Sequence, residues 1–324
     1  MSAAERPSES DSIWLHRFAI LTSVAVLALI FVGGLVTSTG SGLAVPDWPL
    51  SFGQLFPPLV GGVLYEHGHR LVASLVGILM IILASWIQRC EPRRWVRQLA
   101  LAALLLVIVQ GVLGGITVLF LLPTAVSVAH ACTAQAFFAL TVILAVCTGP
   151  SWNPLRRRLP DDGRPPLHQL AALTVALVFL QLILGAWMRH TGAGLAIPDF
   201  PLAFGRLIPP LHDPQVRIHF LHRLGAAAVA ASVLWTVGRV LRRHRANFAL
   251  LGPALVLAGL LVAQIGLGAL TVWTRMAVLP ATAHVAGGAA LLACGLILGL
   301  RARRLTPLAA PETAVRILPE RISA

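Results

Sequence analysis

The sequence predicts an all-α fold: a polytopic membrane protein whose eight transmembrane helices form two parallel repeated four-helix bundles. Three observations support this prediction. Hydrophobic residues make up 57% of the 324 residues and charged residues only 11%, with a mean hydropathy of +0.83. Apolar runs of the length that crosses a bilayer, about 20 residues, recur along the chain. The second half of the chain then repeats motifs of the first.

The charge pattern indicates membrane topology. The formal net charge is +13, and every basic residue is arginine. A soluble domain usually carries about 25% charged residues, so this chain has too few for a water-facing surface. Its arginines lie in short clusters between apolar runs, which is typical of the positive-inside rule. We therefore expect contact with membrane lipid and no nucleic-acid partner.

The eight spans follow one another with short connections, except for two longer loops. Each span is a run of apolar residues long enough to cross the bilayer as a helix. In chain order the predicted spans are His16–Thr37, Glu66–Gln88, Gln98–Phe120, Pro123–Thr148, His168–Arg189, Val216–Arg239, Phe248–Thr274 and Leu279–Arg301.

Arginine clusters alternate between the two sides of the membrane. They follow the second, fourth, sixth and eighth runs, whereas loop 38–65 contains no arginine and loop 190–215 contains only Arg206. The positive-inside rule then places both termini in the cytoplasm and the two long loops outside. The first dozen residues show no cleavage site, so the first run should stay as a helix of a multi-pass protein of the plasma membrane.

An internal repeat divides the chain. Residues 40–59 read GSGLAVPDWPLSFGQLFPPL and residues 192–211 read GAGLAIPDFPLAFGRLIPPL, an offset of 192 − 40 = 152. An even number of helices per unit gives both copies the same orientation. We therefore expect a cytoplasmic tail (1–15), an N-terminal bundle (16–148), a linker (149–167), a C-terminal bundle (168–301) and a second cytoplasmic tail (302–324).

Four histidines recur in register within the spans. Ionisable residues inside a membrane are costly and indicate function by default. Two imidazoles at similar depth on facing helices suit bis-histidine ligation of a heme iron, although each could instead be a helix–helix hydrogen-bonding residue. The four are His69, His130, His222 and His284.

One position breaks the repeat. Glu66 precedes His69 by three residues, where the second unit has His219 before His222. Residues three apart share a helix face, so Glu66 could act as a proton acceptor beside one heme only, or could simply pair with Arg70 at the membrane interface. This asymmetry suggests that one unit keeps a permanent heme and the other performs chemistry.

The loops and the arginines that follow the histidines allow two interpretations each. Arg70 and Arg223 could pair with heme propionates or extend to the interface. Asp47 and Asp199 are expected to cap short helices. Trp48 and its counterpart Phe200 could close over a macrocycle or belong to the interfacial aromatic belt.

These residues together resemble the heme A synthase family. The resemblance rests on Gly33-Gly34-Leu35-Val36-Thr37, on Glu66-x-x-His69-Arg70 and His219-x-x-His222-Arg223, and on His130 and His284. It implies oxidation of the C8 methyl of heme O to a formyl group, giving heme A. It also implies heme b as cofactor on His222 and His284, the heme O substrate on His69 and His130, and Glu66 as the catalytic carboxylate.

The resemblance further implies heme O synthase and cytochrome oxidase assembly factors as partners, with homo-oligomerisation left open. One departure is that loop 38–65 has no cysteine, whereas some members carry a pair there; the four cysteines are Cys90, Cys132, Cys147 and Cys294. Two other hypotheses stay open at this point: a bis-histidine cytochrome b that relays electrons from quinol, and a heme carrier without turnover.

Overall fold

The computed structural model describes residues 9–149, 152, 159, 161 and 163–306. Within this part of the chain it contains eight α-helices, each long and apolar enough to cross a membrane. They are α1 (Glu9–Ser38), α2 (Gly62–Cys90), α3 (Arg94–Leu119), α4 (Thr124–Thr148), α5 (Leu167–His190), α6 (Pro214–Arg243), α7 (Phe248–Trp273) and α8 (Val278–Leu305).

The all-α, eight-helix prediction is therefore confirmed, and each predicted span overlaps one helix. Most helices are longer than the predicted spans, mainly at ends where the sequence becomes polar. Helix α6 starts at Pro214, where the Asp213 side chain accepts a hydrogen bond of 2.8 Å from the Gln215 amide, and it continues to Arg243. Hydropathy locates the lipid-facing stretch, whereas arginine is a good helix former that extends the helix into water.

The helices pack in two cyclic sets. Helix α1 contacts α2 and α4, and α3 contacts the same two; α5 contacts α6 and α8, and α7 contacts the same two. The sets meet where α1 and α4 touch α8 and where α4 touches α5. In lipid such contacts are stabilised by close packing and interhelical hydrogen bonds rather than by the hydrophobic effect.

The buried interior is apolar, with a few hydroxyl groups that bond to one another. Two large clusters lie within the two sets of helices, and Phe137, Met80 and Leu257 are among their largest fully buried side chains. The Thr174 hydroxyl of α5 lies 2.7 Å from the Ser232 hydroxyl and 2.9 Å from the Thr236 hydroxyl, both on α6. Buried hydroxyls need such partners because no water reaches them.

The loops that follow α1 and α5 have the same local structure. Each contains a short antiparallel bridge, Ser51 with Gln54 and Ala203 with Arg206. The second loop differs by a short 3-10 helix at Ala193–Leu195 that the sequence did not predict. We call the end of the bundle that carries these loops, residues 39–61 and 191–213, the loop end.

Several predicted segments fall partly outside the described residues. These are the first tail (1–8 of 1–15), the last tail (307–324 of 302–324), and most of linker 149–167, including Arg156, Arg157 and Arg158. Where the linker is described, it packs against the second set of helices: the Leu159 amide donates to the Leu305 carbonyl at 2.7 Å. The Arg239 guanidinium donates to the Pro165 carbonyl at 2.9 Å.

Candidate functional site

The four repeated histidines lie towards the loop end, on the even-numbered helices. His69 is on α2, His130 on α4, His222 on α6 and His284 on α8. All four are half-buried. The Nδ1 atoms of three of them are buried without a hydrogen-bond partner in the described part of the chain. Buried polar atoms without partners are rare in native proteins and call for an explanation such as a bound ligand.

The structure brings His222 and His284 together. Their ring centres are 6.4 Å apart and the ring planes are inclined at 71°. Two imidazoles that bind one metal ion, each through a bond of about 2 Å, have ring centres about 6 Å apart. The spacing of the pair is compatible with a single metal ion between the rings, as in a bis-histidine heme.

His69 and His130 form the corresponding pair of the first helix set. Both histidines lie near the loop end of their helices, as His222 and His284 do. No group of three or more His, Cys, Asp or Glu side chains able to hold a metal ion occurs among the described residues. Each helix set thus contains one pair of these histidines.

Glu66 and His219 occupy equivalent places and make the same contact. The Val45 amide donates to Glu66 Oε2 at 2.8 Å, and the Ile197 amide donates to His219 Nδ1 at 3.3 Å. Both side chains are buried, at 4% and 3% exposure. Each therefore ties the loop that precedes its helix to that helix, but only the first of these two positions is a carboxylate.

The Glu66 carboxylate also forms an ion pair. Arg70 Nη2 lies 2.7 Å from Glu66 Oε1. Pairing and a backbone hydrogen bond compensate the cost of burying the charge. The pairing with Arg70 that the sequence allowed is therefore present.

Arg70 and Arg223 hold the loops. Arg70 Nη1 donates to the carbonyls of Asp47 and Leu50, each at 2.8 Å. Arg223 donates in the same way to the carbonyls of Asp199 at 2.6 Å and Leu202 at 2.8 Å. Sequence reasoning missed this role, because it depends on loop carbonyls that turn back over the helix. Pairing of these arginines with propionates stays a prediction.

Asp47 and Asp199 do not cap helices, and that expectation is wrong. The Asp47 carboxylate accepts hydrogen bonds from the amides of Phe52 at 2.7 Å and Gly53 at 2.8 Å. Phe52 and Gly53 have φ of 53° and 70°, so the carboxylate stabilises a tight turn with left-handed backbone. Asp199 does the same for residues 204 and 205.

These turns should loosen in acid. The backbone amides of Gly53 and Phe52, together with the charge of Arg70, hold the pKa of Asp47 below its usual 3.8. Because the pKa is depressed in the folded loop, the carboxylate stabilises the turn above pH 3.8, and this stabilisation is lost as the pH falls through the lowered pKa. Cleavage of loop 39–61 by an acid protease should therefore rise below about pH 3.8 in the wild type. Asp47→Asn should be cleaved equally fast across that range, and a pH-dependent Asp47→Asn would contradict the assignment.

Aromatic side chains from both loops reach the neighbouring odd-numbered helices. The Trp48 ring lies directly over Gly115 of α3, where a Cβ would meet ring atoms at 2.6 Å. In the second set, the Trp273 indole donates to the Phe200 carbonyl at 3.3 Å, and the two rings meet edge to face. Trp48 is therefore packed on a helix, although it remains 41% exposed.

Two polar residues near the sites were missed by sequence reasoning. The Gln181 amide nitrogen donates to the His222 carbonyl at 2.8 Å and lies 3.0 Å from His222 Nδ1. Arg189 donates to the Ser38 hydroxyl at 2.7 Å, and no carboxylate among the described residues pairs with it. One signal in the sequence could have found them. Each is a polar side chain within an apolar run, and neither position has a matching residue in the first repeat.

Cys90, Cys147 and Cys294 lie away from the loop end, whereas Cys132 follows His130 by two residues on α4. Cys90, Cys132, Cys147 and Cys294 are all free, and the last two are buried. The expectation that no cysteine pair bridges the first loop agrees with this arrangement.

The fold and the paired histidines together define a multi-pass membrane protein with a repeated two-histidine site near one end of its bundle. Comparison with known proteins identifies the group. The family model described as cytochrome oxidase assembly protein matches residues 16–62 and 60–296. The chain belongs to the cytochrome oxidase assembly protein family.

Several proteins that are similar to this chain are named heme A synthase. The chain is similar to the heme A synthase of Symbiobacterium thermophilum, with 35% identity over 77% of this chain and 82% of the relative. It is 32% identical to the heme A synthase of Shouchella clausii over 82% of this chain and 89% of that protein. For the heme A synthase of Geobacillus kaustophilus the identity is 30%, over 94% and 98% of the two chains.

Proposed function

We propose that this protein is a heme A synthase, which oxidises the C8 methyl group of heme O to a formyl group and supplies heme A for cytochrome oxidase. The observation that carries the proposal is a pair of histidines in each half of a chain whose relatives are named heme A synthases. The arrangement favours an oxidoreductase over a passive carrier, because a carboxylate lies beside only one pair.

The two pairs have different roles in this proposal. His222 and His284, with ring centres 6.4 Å apart, would hold heme b in the C-terminal bundle, 168–301. His69 and His130 would hold the heme O substrate in the N-terminal bundle, 16–148. Heme b, when bound, supplies electron transfer. Division of the chain into these bundles is supported by the two cyclic sets of helix contacts.

Glu66 is the proposed catalytic carboxylate. Conversion of a methyl to a formyl group adds one oxygen atom, which water can supply, and releases protons and electrons. A carboxylate beside the substrate can take up a proton, and the electrons would leave through heme b. The Val45 amide and Arg70 hold the two carboxylate oxygens in place. Glu66 lies one helical turn before His69, on the same face of α2. Its carboxylate can accept a proton there; this neutralises Glu66, and the Arg70 guanidinium then keeps its hydrogen bonds to the Asp47 and Leu50 carbonyls.

The membrane location and the partners of the protein are proposed from the charge pattern and from the names of its relatives. Arginine clusters support cytoplasmic termini and a place in the plasma membrane. Heme O synthase is the proposed source of substrate, and cytochrome oxidase assembly factors are the proposed recipients of product; self-association would be compatible with the lipid-facing surface.

Extraction of the bound hemes tests the proposal. The protein is purified after co-expression with a heme O synthase, and its hemes are separated by chromatography and identified by mass. Heme A and hydroxylated heme O are expected in addition to heme b. Heme b in both sites without heme A would contradict the proposal and favour an electron-relaying cytochrome b. Unchanged heme O would indicate a carrier.

A further inference from the structure

Every one of the four histidine rings lies against a glycine of the preceding helix. The glycines are on the odd-numbered helices, and a Cβ built on each would lie 3.1–3.3 Å from the Cε1 atom of the facing imidazole. The pairs are Gly33 with His69, Gly114 with His130, Gly185 with His222 and Gly268 with His284. We call these four glycines the ring notches.

The contact is too close for a methyl group unless the histidine ring moves. A separation of 3.1 Å is shorter than ordinary van der Waals contact, so a side chain would push the ring away by a few tenths of an ångström. Cε1 lies between the two ring nitrogens, so displacing it also moves Nε2 and Nδ1. Ligand geometry at a metal tolerates little such movement, because orientation of the imidazole sets the metal–nitrogen bond.

The pattern is more specific than general helix packing. Gly111 on α3 and Gly266 on α7 lie within a turn of two ring notches, yet a Cβ at either would meet nothing within 4 Å. The notches also follow the repeat, since 185 − 33 = 152 and 268 − 114 = 154 match the offsets of the loops and of the last histidines. The same contact therefore occurs at all four ligand positions.

We infer that Gly33, Gly114, Gly185 and Gly268 are positioning residues that set the orientation of the four histidine rings. At each notch the Cε1 edge of the imidazole lies where a side chain on the odd-numbered helix would begin. Contact at the notch limits rotation of the ring towards the neighbouring helix. This inference rests on the proposed function for what the histidines hold, but the contact itself does not depend on it.

A pair of variants on α7 tests the inference. Gly268→Ala should weaken heme retention at the C-terminal site about tenfold, the scale on which changes around metal ligands act. It should also convert part of the low-spin heme spectrum to high-spin, because one axial bond is strained. Gly266→Ala, two residues away in open space, should keep the wild-type spectrum and retention, since alanine is the better helix former.

Three measurements on the same samples separate the explanations. Visible and electron paramagnetic resonance spectra show which ligands the heme iron has. Loss of heme from the protein after dilution measures heme retention, and size-exclusion chromatography shows whether the variant is folded. Equal spectra and retention for Gly268→Ala and Gly266→Ala would overturn the inference. A wild-type protein without low-spin heme would instead overturn the proposed function and leave the ring contact to be tested at the level of structure.

A second notch of the same site provides an independent check. Gly185→Ala faces the other ligand, His222, and should change the spectrum in the same direction as Gly268→Ala. If both variants fail to fold while Gly266→Ala folds, the notches serve helix packing rather than ring placement, and the inference is wrong. Gly114→Ala with its control Gly111→Ala should leave the C-terminal heme spectrum unchanged, because Gly114 faces His130.

Discussion

Replacing His222 or His284 by alanine is expected to reduce the heme content of the C-terminal site to about a tenth or less of the wild-type value, with loss of the low-spin spectrum. In the proposed function each ring would hold the heme b iron, and the ring centres lie 6.4 Å apart. Removing either ring leaves a single ligand. Pyridine hemochrome analysis and visible spectra of the purified variants measure the result.

A histidine outside the site provides the control for this experiment. His212 is exposed in the second loop, and His212→Ala should keep the full spectrum. His69→Ala should also keep the C-terminal heme, since it belongs to the other helix set. A complete low-spin spectrum in both His222→Ala and His284→Ala would refute their assignment as ligands.

Substitution of Glu66 is expected to stop product formation without removing heme b. Loss of a positioned base typically costs about 10²-fold or more in rate, so heme A should become undetectable in Glu66→Ala. Glu66→Gln distinguishes the two roles of this side chain. Its amide oxygen can still accept the Val45 hydrogen bond, but it carries no charge and cannot serve as the base.

The results for the two Glu66 variants distinguish a catalytic role from a structural one. If Glu66→Gln retains wild-type amounts of heme A, the carboxylate serves only to hold the loop, as His219 does for Ile197. If both variants lose all bound heme, Glu66 is structural for the whole bundle. The control is His219→Ala, which removes the equivalent tether from the second loop and should leave heme A formation intact. The product is quantified by chromatography of extracted heme.

Much of the fold could be predicted because the thickness of the bilayer sets the length of the apolar run that each spanning helix needs. A run of about 20 apolar residues has few alternatives to a helix in lipid, so every predicted span overlaps a helix. The ends were less predictable: α6 begins at Pro214 because the Asp213 side chain caps it, and α8 continues through arginines to Leu305.

The candidate site was predicted in part. The recurrence of His222 and His284 indicated a pair, and the structure places their rings side by side. The contacts of Arg70 with loop carbonyls and of Asp47 with the Phe52 amide were not predicted. Such contacts depend on how a loop folds back, and no periodicity in the sequence records that path.

By itself, the sequence determined the number of helices, their order, the repeat and the histidines that recur in it, because hydropathy and spacing are properties of neighbouring residues. Only the tertiary structure decided that Glu66 and His219 tether equivalent loops, and that each histidine ring lies on a glycine of another helix. Those contacts join residues far apart in the chain. They depend on the rotation and approach of whole helices, which packing sets and local sequence does not.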